Sequence, residues 1–115
     1  MQDNIRQLIK QIEADEVNIK SLESQTEIER VRMQDAYNAG DEARGKFSET
    51  QVHKNELRIN ELQGELSNLQ NLKADAEARL ASLEQERTNL VTEHEQRLVQ
   101  LDTEISRLKG GMTAL

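Results

Sequence analysis

The sequence predicts an all-α fold: a long antiparallel coiled-coil hairpin of two unequal helices, the longer C-terminal helix projecting to self-associate. Three observations carry this expectation. The chain is poor in apolar residues, those it has fall into two heptad runs, and the runs are separated by a short segment where the pattern lapses.

The composition sets the frame. Of 115 residues, 35% are apolar, 2% aromatic and 32% charged, with no Pro, Cys or Trp and a net charge of −7. An ordinary globular domain is about 45–50% apolar, so a multilayer core is excluded. Leu, Ile, Val and Phe make up 27 of the 115 residues, just over the roughly one-fifth below which disorder becomes the default. Spacing therefore decides between a helix and a disordered chain.

The first element, residues 1–39, carries Ile5, Leu8, Ile12, Asp15, Ile19, Leu22, Thr26, Glu29, Met33 and Ala36. Steps of three and four throughout place these residues on one helix face as the a and d positions of a coiled coil. Pairs such as Glu16 with Lys20 support the helix from outside the seam.

Residues 40–47 are expected to be the hairpin loop. Gly40 suits a left-handed C-cap, and Ser48 to Gln51 has the form of a capping box that would start the next helix, with Phe47 and Val52 as its hydrophobic staple.

The second element, 48–109, carries Val52, Asn55, Ile59, Leu62, Leu66, Leu69, Lys73, Ala76, Leu80, Leu83, Arg87 and Leu90 in one heptad phase. His94, Leu98, Leu101, Ile105 and Leu108 follow after two consecutive steps of four, a stutter that locally unwinds a supercoil. Gly110 and Gly111 are expected to end this helix and leave 110–115 as a flexible tail.

A hairpin suits the seam charges better than a single continuous parallel rod. In a parallel in-register pair, Asp15, Glu29, Lys73 and Arg87 would each face their own copy. A turn near Arg44 gives the register in which paired residue numbers sum to 88, so that Asp15 meets Lys73 and Ile5 and Leu8 meet Leu83 and Leu80. The pair Asp15 and Lys73 would then select the register. The hairpin would end near residue 86, leaving 87–109 as a projecting oligomerisation segment. Its stripe of Leu90, His94, Leu98, Leu101, Ile105 and Leu108 is the expected oligomer or partner interface. A lone helix in water gains little from such a stripe. Val17, Ile28 and Val31 form a further outer face for a partner or a four-helix assembly.

Site chemistry is sparse. Glu49 and His53 share a helix face, but only Glu56 could join them, so no metal or other cofactor is expected. His94 at the stutter reads as a polar residue in a widened seam, with a pH-sensitive contact as the functional alternative. Lys54 and Arg58, with Arg30 and Arg32 opposite, are interleaved with Glu27, Glu29 and Glu56 and read as a salt-bridged surface. Acidic pairs such as Glu84 and Glu86 belong to a solvated face with no cleft to shift their titration. No phosphate loop or nucleophile motif occurs.

Net acidity counts against nucleic-acid partners. No apolar run nears the roughly 18 residues of a membrane span, and the N-terminus lacks a signal-peptide core, so a cytoplasmic location is expected. The functional expectation is a non-enzymatic scaffold or adaptor acting through helix–helix association with a second copy of itself, most simply as a homodimer, or with a helical protein partner. The alternative is a small chaperone or export-stalk-type component that binds client helices transiently.

Overall fold

The structure, a computed structural model, describes the backbone of residues 4–113 and the side chains of residues 4–110. It consists of two helices, α1 (Ile5–Asn38) and α2 (Glu42–Thr113), with no strand among the described residues. The chain divides into two units, Met1–Ala76 and Glu77–Leu115.

In the first unit α1 packs antiparallel on the beginning of α2. Asn4 starts α1, its side-chain oxygen accepting the backbone N–H of Arg6 at 2.9 Å. The helix ends at a left-handed glycine, Gly40, whose φ is +80°. The Gly40 N–H donates to the Tyr37 carbonyl at 3.1 Å and the Asp41 N–H to the Ala36 carbonyl at 2.9 Å. These two bonds close the end of α1 in the manner expected of a glycine C-cap.

The second helix starts earlier than the sequence suggests. Asp41, not Ser48, is its N-cap: the carboxylate Oδ1 accepts the Arg44 N–H at 3.1 Å, and the Asp41 carbonyl accepts the Gly45 N–H at 3.0 Å. Residues 42–47 are therefore helical and the link shrinks to Ala39, Gly40 and Asp41. Ser48 is buried inside the helix, and Phe47 is exposed instead of stapling Val52. At the other end α2 runs through Gly110 and Gly111 to Thr113. Each glycine costs a helix only about 1 kcal/mol, whereas proline, which blocks it, is absent. Ala114 and Leu115, the end of the expected tail, lie outside the described residues.

The shorter link moves the register by one heptad, from a sum of 88 to one of 81. Leu8, Ile12 and Leu69 form a buried cluster, with Leu66 and Ala76 packed against it. Ile12 is thus level with Leu69, Ile19 with Leu62, Leu22 with Ile59 and Glu29 with Val52. Toward the tip the seam runs on through Ser48 and Gly45, both buried, opposite Met33 and Ala36. Leu80 and Leu83, expected to cover Leu8 and Ile5, are each 47% exposed. The hairpin accordingly ends at Ala76 instead of residue 86.

The expected pair of Asp15 and Lys73 is not formed. Asp15 is buried level with Leu66, and its Oδ2 has no hydrogen-bond partner. Lys73 is half-buried level with Leu8, a position that suits a lysine because its methylene stem can cover apolar surface. Thr26 solves the same problem locally: it is almost fully buried and its hydroxyl donates to the Leu22 carbonyl at 2.6 Å. Such bonding back to the preceding turn satisfies a polar group without a partner helix.

Candidate interaction surfaces

The second unit presents one apolar stripe. Residues 77–109 contain strong helix formers and no proline, and every described side chain among them is exposed. Leu90, Leu98, Leu101, Ile105 and Leu108 are between 37% and 62% exposed. His94 lies in their row. Leu80 and Leu83 now extend this stripe by two positions that the sequence reading assigned to the hairpin. Charged residues border it throughout, among them Arg79, Glu86, Arg97 and Glu104. An amphipathic stripe of this kind is the face a helix buries against another element.

The outer face of α1 also lies open: Val17, Ile28 and Val31 are all more than half exposed. Ile28 borders a shallow groove with Gln25, Glu29, Arg32, Gln51 and Asn55, whereas Val17 is not part of it.

The charged cluster near the tip is a network of ion pairs. Arg30 donates to Glu56 on the facing helix at 3.1 Å and to Glu27 at 3.3 Å. Arg32 pairs with Glu29 at 2.8 Å, and Arg58 with Glu61 at 3.0 Å. The hydrogen bond to Glu56, followed by that to Glu27, raises the Arg30 pKa and holds the guanidinium charged. Only the pair of Arg30 with Glu56 joins the two helices, and an exposed pair of this kind adds little stability. Among the described residues no group of three or more His, Asp or Glu side chains is placed to hold a metal ion, and none of their helices is long and apolar enough to cross a membrane.

Beside the tip lies a contact that sequence reading missed. Tyr37 donates its phenol hydroxyl to Glu49 Oε2 at 2.8 Å, a bond that raises the Tyr37 pKa. Its ring lies over Gly45, where an added Cβ would come within 2.5 Å of Tyr37 Cε1. Gly45 is thus required inside a helix by close approach and not by a turn. Gly45→Val should lower the stability of the hairpin by about 1–3 kcal/mol through overpacking. In a Tyr37→Ala background urea denaturation should show that loss shrink. An equal loss in both backgrounds would place the clash elsewhere.

Comparison with protein-family models, with curated proteins and with solved structures finds no match.

Proposed function

We propose that this protein is a non-enzymatic coiled-coil scaffold or adaptor of the cytoplasm, whose C-terminal unit associates with a second copy of the chain. The observation that carries this reading is the exposed row from Leu80 to Leu108 on a helix with charged borders. Burying a leucine or isoleucine contributes roughly 1.5–3 kcal/mol, so seven such side chains in one line favour association strongly. The hairpin at the other end of α2 supplies a separate helical surface with a capped, ion-paired tip. The mechanism is spatial: association brings hairpins together and presents their helical faces to partners.

Replacing Leu98 and Ile105 together by Asp tests the reading. Light scattering should show the parent at a multiple of its 13.2 kDa chain mass and the double variant at the mass of one chain, with its helical circular dichroism largely kept. A parent that is monomeric at micromolar concentration, or a variant of unchanged mass, would remove self-association as the role of this stripe. A monomeric parent that gains mass on adding a partner helix would support transient client binding instead.

A further inference from the structure

We propose that two copies of the chain pair antiparallel through residues 77–109, with the twofold axis passing at His94. This deepens the self-association reading above and rests on it.

The stripe is symmetric in its spacing. From Leu80 through Leu83, Arg87, Leu90, His94, Leu98, Leu101 and Ile105 to Leu108 the steps are three, four, three, four, four, three, four and three. The order is the same read from either end. A copy laid antiparallel over the first therefore matches every position: Leu80 with Leu108, Leu83 with Ile105, Arg87 with Leu101, Leu90 with Leu98, and His94 with its counterpart. The stutter, which would break phase against an ordinary heptad helix, meets itself at the axis and costs no register. The symmetric stretch begins just after Ala76, the last layer of the hairpin, so no part of it is already covered.

The borders of the stripe point to the same occupant. In the hairpin, residues flanking the antiparallel seam meet across it: Arg30 reaches Glu56 on one side, and Gln25 and Gln51 line a common groove on the other. Applied to the twofold pair, the same offset of five residues brings Arg79 to Glu104, Glu86 to Arg97 and Glu84 to Lys109. At an offset of two, Glu93 with Arg97 and Glu77 with Lys109 are opposite in charge, whereas Glu84 with Asp102, Glu86 with Glu104, and Glu93 and Glu95 each with its own counterpart are alike. The three pairs at the offset seen in the hairpin are all opposite in charge, and each occurs twice by symmetry. Such borders set partner choice and orientation in coiled coils.

Orientation is decided inside the seam. A parallel pair in register would set Arg87 against Arg87 in the middle of the apolar row, a like-charge layer. The antiparallel pair sets Arg87 against Leu101, where its methylene stem packs on the leucine and the guanidinium reaches solvent.

The chain has no cysteine, so single cysteines report the pairing. Leu83→Cys and Ile105→Cys are made separately and mixed under mild oxidation or with a short bismaleimide, with masses checked by light scattering. Covalent dimers should form in the mixture and not from either variant alone. Dimers cross-linked from each variant by itself would overturn the antiparallel arrangement while leaving self-association intact, as would a dimeric mass with no cross-link in the mixture. A monomeric mass for the unmodified chain would overturn both readings together.

Discussion

Asp15→Leu should make the hairpin more stable by about 3 kcal/mol. Asp15 is buried, and one of its carboxylate oxygens has no hydrogen-bond partner. Leaving a buried acceptor unsatisfied costs about 1–3 kcal/mol, and a buried leucine contributes roughly 1.5–3 kcal/mol. Its neighbour across the seam is Leu66, part of the apolar cluster of Leu8, Ile12 and Leu69, so a leucine continues an existing core. A gain of this size raises the melting temperature by at least about 10 °C in a small domain. The sign is the informative quantity. Were Asp15 paired with Lys73, the same substitution would strand a seam ammonium and lose about 3–5 kcal/mol. A drop in the urea midpoint of Asp15→Leu would therefore refute the register that the turn imposes.

Leu62→Ala and Leu83→Ala should separate the two halves of α2. Leu62 is 2% exposed opposite Ile19, and truncating a leucine so enclosed costs about 2–5 kcal/mol, part transfer and part cavity. Leu83 is nearly half exposed, so its truncation should leave the unfolding midpoint of the dilute, dissociated chain within about 0.5 kcal/mol of the parent. Urea titrations at low and high protein concentration check both points. At high concentration Leu83→Ala should lose stability that the parent gains from association. A loss for Leu83→Ala at every dilution would mean that the hairpin extends past Ala76.

The difference between these two leucines traces to the turn. A heptad pattern is blind to its own offset: any two such helices can be brought into phase at intervals of seven residues. The matching charges of Asp15 and Lys73 favour one offset, and the turn favours another. Adopting the charge-matched offset would require residues 42–47 to leave the helix and Asp41 to lose its cap. Asp41 with Arg44 lacks the reciprocal Glu or Gln of a capping box, so nothing in the local pattern marks it above Ser48 to Gln51. Gly45 and Ser48 lie in phase with Val52, yet neither carries an apolar side chain that would mark a seam. Their reason is visible only in three dimensions, where the Tyr37 ring fills the space over Gly45.

Much of the rest was legible from the residues. The bounds of α1, the left-handed cap at Gly40, the seam from Ile5 to Ala36 and that from Val52 to Ala76 all follow from spacing and cap chemistry. The apolar stripe of the C-terminal unit was legible as well, because an amphipathic period needs no partner to be recognised.

The sequence by itself determined that the chain is helical, where its first helix stops and which residues face a seam, since these depend on interactions within a few residues. Only the tertiary structure decided which seam residues meet. Register is a competition between a three-residue turn and a buried charge seven residues out of step, and two backbone bonds, a cap and the added helical residues outweigh the unsatisfied carboxylate. That outcome releases Leu80 and Leu83 from the hairpin and completes the symmetric stripe about His94.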